Sequence, residues 1–97
     1  MWKLVDIKPS TRSGKKWVAH FHDPQTGRDR HTHFGATGYE DYTQHKDLER
    51  AKAYRRRHMK DLATHDPTRA GFLSFFVLWA GPDFHANINS YKKRFHL

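Results

Sequence analysis

A pair of alternating segments around one short turn is the strongest constraint on this fold. The segments Lys16–His22 and Arg28–Phe34 flank Asp23–Gly27. Pro24 suits the first central position of a type I turn and Gly27 can adopt a positive φ, so we expect a β-hairpin. Pairing Asp23 with Arg28 then gives one face of the hairpin an apolar set suited to the core: Trp17, Ala19, Phe21, Thr32 and Phe34.

The rest of the chain predicts one more strand and three helices. Residues 2–8 form a strand before the hairpin strands at 16–22 and 28–34, which gives a three-stranded antiparallel meander. Helices are predicted at 47–62, with Thr43 or Asp47 as its cap, at 67–80 after Asp66-Pro67, and at 83–95 with Asp83 as its cap. The fold class is therefore α+β, and residues 1–97 are predicted to form one small basic domain.

Charge and composition restrict the partners. The chain has 18 Lys+Arg against ten Asp+Glu, a formal net charge of +8, and only 36% hydrophobic residues. Such a chain attracts polyanions. The absence of cysteine excludes disulfides, thiol catalysis and Cys-ligated zinc. We expect no signal peptide and no membrane span, and a location inside the cell, in the nucleus or cytoplasm.

Four histidines share the second face of the hairpin. In the predicted register this face carries His20, His22, His31 and His33 together with Val18 and Asp29. Neighbouring imidazoles at this spacing can share a metal ion such as zinc. The alternative is an ordinary solvated face, on which clustered histidines gain charge between about pH 5 and 7. The solvated face is the default for such positions, so no cofactor is expected.

Two basic clusters and one apolar helix are the other candidate sites. Eight cations are candidate polyanion ligands: Arg50, Arg55, Arg56, Arg57, Lys60, Lys92, Lys93 and Arg94. The alternative is a charged, solvated surface paired with nearby carboxylates. The helix predicted at 67–80 is apolar around more than one side. Either the sheet and the last helix bury it, or four of its aromatic residues contact another protein: Phe72, Phe75, Phe76 and Trp79.

An enzymatic interpretation is also available from the histidines. A hairpin followed by a helix is the arrangement of ββα-metal nucleases, in which a histidine acts as general base beside a metal ion. His20 or His33, with His45 or His58, would take those roles. The helix carries arginines where a metal site needs neutral or acidic groups. We therefore predict that the protein is not an enzyme.

The motifs together resemble a known group of proteins. The resemblance rests on Lys3–Arg12, His33–Tyr39, Asp41–Asp47, Tyr54 with Arg57-His58, Asp66–Gly71, Leu78-Trp79 and Tyr91–Phe95. This pattern is similar to a family of short basic proteins encoded by large DNA viruses of algae and protists, with relatives in algal genomes. The resemblance implies a viral setting but no catalytic residues. His20, His22 and His31 lie outside the family pattern, which weakens a shared metal site.

The sequence therefore predicts a structural or assembly protein, a minor capsid or genome-associated virion component that binds a larger protein assembly. The aromatic helix would supply the protein contact and the basic clusters the electrostatic adhesion. The alternative function is sequence-independent binding to the DNA or RNA backbone. The second alternative is the metal-dependent nuclease.

Overall fold

The sheet is the meander that the sequence predicts. In this computed structural model, which describes residues 1–97, β1 (Lys3–Pro9), β2 (Lys15–Asp23) and β3 (Arg28–Ala36) pair antiparallel in the order β1-β2-β3. The hairpin register is confirmed, since Asp23 lies opposite Arg28 and His20 opposite His31. Each strand extends one or two residues beyond at least one predicted bound.

One face of this sheet forms half of the core. Ala19, Phe21 and Phe34 are completely buried, and Leu4 of β1 packs beside them. The pairing of β1 with β2 shifts by one residue between Leu4 and Asp6. This irregularity leaves Val5 half exposed, because an extra residue in one strand of a pair has no partner opposite it.

The segment after β3 contains a short helix, although no helix is predicted before residue 47. Helix α1 (Tyr42–His45) is capped by Asp41, whose side chain accepts from the Thr43 amide, while the Gln44 side chain accepts from the Asp41 amide. This reciprocal capping box satisfies donors that a single helical turn leaves free. Helix α2 (Leu48–His58) begins after Asp47, one of the two predicted caps, and continues as a 3₁₀-helix over Met59–Thr64.

The predicted start of the next helix at residue 67 is wrong. The Asp66 side chain accepts from the amide and hydroxyl of Thr68, and the Arg69 amide donates to the Asp66 carbonyl, so Asp66-Pro67 forms a turn. Helix α3 (Ala70–Leu73) begins later and continues as a π-helix over Ser74–Leu78. Buried residues here recur at a spacing of five, in the pairs Phe72/Val77 and Leu73/Leu78.

Helix α4 (Phe84–Phe95) closes the other side of the core. The Asp83 side chain caps it by accepting from the Ala86 amide, as predicted. Tyr91 is buried, and Phe84, Ile88 and Phe95, whose spacing places them on the same side of the helix, pack against the same core. No helix in the structure combines the length and the apolar character that crossing a membrane requires.

Candidate functional site

Helix α2 exposes most of its cations to solvent. Because successive residues of an α-helix are about 100° apart, Arg50, Arg56 and Arg57 fall within about a third of its circumference, and Lys60 follows on the same side in the 3₁₀-helix that continues α2. All four are exposed, and none forms a salt bridge. Glu49 lies on the same side, where Lys52 is 3.7 Å from it. We call these four residues the cationic face of α2.

Arg55 does not belong to this face. Its Nη1 donates to the Trp79 carbonyl at 2.6 Å, and the Ala80 carbonyl is 3.5 Å away. These carbonyls lie just beyond the π-helix, and carbonyls at the end of a helix have no amide donor within that helix. The assignment of Arg55 to the polyanion site is therefore corrected: it ties α2 to the end of the π-helix.

The second basic cluster is on α4 and lies at a different cavity. The Arg94 guanidinium is 5.1 Å from the centre of the Phe76 ring and 5.8 Å from that of Phe95. Lys93 and Arg94 border a cavity of about 440 Å³ beside Phe76, and Lys92 is half-buried. Arg50 and Arg57 do not line this cavity, so the two basic clusters border different cavities.

A larger cavity of about 610 Å³ lies beside α2. Arg50, Ala53, Tyr54 and Arg57 line it from a single stripe of α2, since residues three and four apart share one side of a helix. Around them lie the starts of β2 and α3, the end of β3, the loop before α1, and the π-helix. Together with the 3₁₀-helix and the residue that follows the π-helix, these elements contribute, among others, Lys15, Lys16, Tyr39, Asp41, Asp61, Gly71, Ser74 and Trp79.

Positive charge exceeds free negative charge at this cavity. Lys16 binds Asp41 at 2.8 Å, and both side chains are largely buried. His58 Nδ1 lies 2.9 Å from an oxygen of Asp61. Lys15, Arg50 and Arg57 remain without a carboxylate partner, against Glu40, which is also unpaired. The cavity thus suits an anionic group placed near the two arginines.

Stacked rings form one wall of the cavity. The Tyr54 ring lies between His58, at 4.0 Å, and Trp79, at 4.1 Å with the two planes only 4° apart. Burial raises the pKa of Tyr54 first, and the negative charge of Asp61 raises it further. His45 packs on Trp79 from another direction at 5.4 Å. Both faces of Tyr54 are therefore occupied within the protein itself.

Tyr39 differs from these rings. It lies in the loop before α1, lines the cavity, and is 76% exposed. It stacks on no other aromatic ring of the protein. Its ring is thus available to a planar ligand that enters the cavity.

The predicted histidine face exists, but it does not assemble a metal site. His20 and His22 lie 2.7 Å and 3.1 Å from one oxygen of Asp29, and these hydrogen bonds lower the pKa of Asp29. His20 also stacks on His31 at 4.4 Å. No group of three or more possible ligands converges anywhere in the chain, so zinc binding by His20, His22, His31 and His33 has no support in the geometry.

The histidines proposed for a nuclease have separate surroundings. His33 Nδ1 bonds to the Ser10 hydroxyl at 2.7 Å, whereas His45 Nδ1 accepts from the Asp47 amide at 2.9 Å. Partial burial lowers the pKa of His33, and the charges of Arg12, His31 and Lys15 lower it further. His58 is paired with Asp61. These histidines are therefore not brought together around a shared metal site, which the nuclease interpretation requires.

The predicted aromatic contact surface is only partly available. Phe72 and Phe75 are 5% and 7% exposed, so they belong to the interior and cannot contact another protein. Phe76 is partly exposed beneath Arg94, and Trp79 is partly exposed beside Tyr54. The sheet and α4 thus bury much of this helix, which is the first of the two alternatives that the sequence left open.

Sequence reasoning missed Tyr39 and Tyr54 as site residues. Arg50, Tyr54 and Arg57 have the spacing of a helix stripe, and this was the available signal. In the sequence, a helix stripe with arginine at both ends has the composition of a solvent-exposed face. Only the structure shows that this stripe lines a cavity.

Fold and site together define a class: a small basic α+β protein with a cationic helix face beside an aromatic cavity. Residues 5–58 match DUF5754, described as a family of unknown function, and the chain belongs to this family. The matched segment covers α1, α2 and the sheet except for Lys3 and Leu4, so it includes Arg57 and His58 but not Trp79. Searches of curated proteins and of solved structures found no match.

Proposed function

We propose that this protein binds nucleic acid independently of its sequence, with the cationic face of α2 on the phosphate backbone. The observation that carries the proposal is that Arg50, Arg56, Arg57 and Lys60 are exposed, share one helix face and have no carboxylate partner. Cations already paired with carboxylates would have to exchange one partner for another. Unpaired cations instead release counterions from the nucleic acid when they bind, which favours association at low salt.

Two further features support this function over the others considered. The formal net charge of +8 favours encounter with any polyanion. The cationic face also continues into the cavity, because Arg50 and Arg57 belong to both. Phosphate contacts of this kind position a protein without specifying a base sequence.

The assembly role and the virion location stay predictions. Burial of Phe72 and Phe75 removes half of the aromatic surface on which the assembly role depended. Phe76 with Arg94 is the part of that surface still exposed enough for a protein contact. Neither prediction conflicts with nucleic-acid binding, since a genome-associated virion component would do both.

The test is the salt dependence of binding to a labelled duplex of random sequence, measured by fluorescence anisotropy. With four phosphate contacts, the logarithm of the association constant should fall against the logarithm of salt concentration with a slope of about −3.6, at about −0.9 for each contact. A triple variant, Arg56→Gln with Arg57→Gln and Lys60→Gln, should bring the slope to about −0.9.

A matched variant controls for net charge. Arg12→Gln with Arg28→Gln and Lys93→Gln removes three exposed cations that also form no salt bridge but lie outside α2. We expect its slope to stay near that of the unmodified protein. Equal loss of slope in both triple variants, or a slope near zero in the unmodified protein, would overturn the proposal.

A further inference from the structure

The cavity beside α2 has the features of a site for one unpaired nucleobase, and this inference rests on the proposed function. We propose that the protein prefers single-stranded nucleic acid, with one base in the cavity stacked on Tyr39 and the adjoining phosphates on Arg50 and Arg57. The duplex contacts only the cationic face of α2. The cavity adds a second element of recognition, available only to a strand whose bases are free.

The first argument is the size and position of the cavity. Its volume of about 610 Å³ lies within the range of about 300–1,000 Å³ typical of small-molecule sites. A base with its sugar can enter such a space, whereas a base that is stacked and paired in a duplex must first be extruded. Extruding a base from a duplex costs a few kcal/mol, and a single strand avoids most of this cost.

The second argument is the arrangement of the rings. The faces of Tyr54 are covered by His58 and Trp79, so this ring forms part of the cavity wall. Tyr39 is exposed, lines the same cavity and has no ring stacked on it. Proteins that bind single strands without sequence preference combine such aromatic platforms with a cationic groove that follows the backbone.

The third argument is the position of the charges. Arg50 and Arg57 are two turns apart on one side of α2, about 10.5 Å along the helix axis, and both line the cavity. Asp41 is bonded to Lys16, and Asp61 lies against His58, so the carboxylates that repel a phosphate most directly already have partners. Glu40 is the remaining unpaired carboxylate, and the two arginines outnumber it.

The experiment compares a short single strand with a duplex of the same length, for the unmodified protein, Tyr39→Ala and Tyr39→Phe. Loss of one stacked base should weaken single-strand binding by about 5- to 150-fold in Tyr39→Ala. Tyr39→Phe keeps the ring and should bind as the unmodified protein does. Duplex binding should be the same in all three proteins, and the exposure of Tyr39 means that neither change disturbs the core.

A second variant pair tests the cavity itself. Ala53→Leu places a larger side chain on the lining stripe of α2, and Ala63→Leu makes the same change at an exposed position outside the cavity. Only Ala53→Leu should weaken single-strand binding. The inference is overturned if Tyr39→Ala or Ala53→Leu leaves single-strand binding unchanged, or if either weakens duplex binding equally. Salt-dependent duplex binding that survives these results would leave the proposed function in place.

Discussion

The segment Ala70–Leu78 and helix α2 differ in burial and in charge, although both belong to the same small domain. Ala70–Leu78 buries Phe72, Leu73, Phe75, Val77 and Leu78. Helix α2 buries only Ala51, and its residues Ala53, Tyr54 and Arg57 line a cavity. The first segment thus stabilises the fold by removing apolar side chains from water, and the second presents an accessible charged surface. In a small domain, one helix can therefore form the buried core while its neighbour along the chain presents the charged surface.

The largest expected effect is the loss of a core side chain from Ala70–Leu78. Leu73 is completely buried in the main core cluster, so Leu73→Ala should lower the free energy of unfolding by about 2–5 kcal/mol. Leu48→Ala makes the same chemical change on α2 at a residue that is 47% exposed, and it should change that free energy by less than about 0.5 kcal/mol. Urea denaturation measures both. Similar losses in the two variants would contradict the division between these helices.

A smaller effect is expected at the end of the π-helix. The buried Asn87 side chain donates at 2.8 Å both to the Val77 carbonyl and to the Gly81 carbonyl. Asn87→Ala leaves these acceptors without that donor, so we expect a loss of about 1–3 kcal/mol in the free energy of unfolding. Asn89→Ala, at an exposed position of the same helix, is the control. An Asn87→Ala protein as stable as this control would show that water replaces the amide.

The smallest expected effect concerns pH and the turn before α3. Burial alone would raise the pKa of Asp66, but the Thr68 hydroxyl and amide together with Arg30 and Arg69 lower it below 3.8. A carboxyl group whose pKa is lower in the folded state stabilises the fold above its unfolded value of 3.8. This contribution is lost as pH falls through the lowered value.

Acid unfolding of Asp66→Asn tests this sign. Between about pH 4 and pH 2, the variant should lose less stability than the unmodified protein, because it carries no proton-linked contact at this turn. Glu40→Gln removes an exposed carboxylate without a salt bridge and serves as the control. Equal steepness of the unmodified and Asp66→Asn curves would contradict the role given to Asp66.

Strand pairing and the last helix were predictable because local chemistry determined them. Pro24 and Gly27 specify the turn, and side-chain alternation then places Phe21 and Phe34 on one buried face. The same holds for α4, where Asp83 caps the helix and the apolar spacing identifies Tyr91. Each of these features needs no information from a distant part of the chain.

Other features depended on tertiary contacts. Asp66 has the residue type of a helix cap, yet it bonds to Thr68 in a turn that also receives Arg30 from β3. In the sequence, Arg55 does not differ from its neighbouring cations. Only the fold shows that it donates to the Trp79 carbonyl. The cavity forms only where α2, the loop at Tyr39 and the π-helix meet. Local sequence patterns do not show that these distant residues lie together.

The π-helix also gives the architecture one place that tolerates a change in chain length. A hydrogen-bonded turn that spans five residues accommodates one residue more than its α-helical equivalent. Deleting a single residue between Ser74 and Leu78 would allow ordinary α-helical winding there, so the residues that follow would keep their positions. Trp79 would stay against Tyr54, and α4 would keep its place beside the sheet. The same deletion within α4 has no such turn to absorb it and would rotate every later side chain by about 100° around the helix axis.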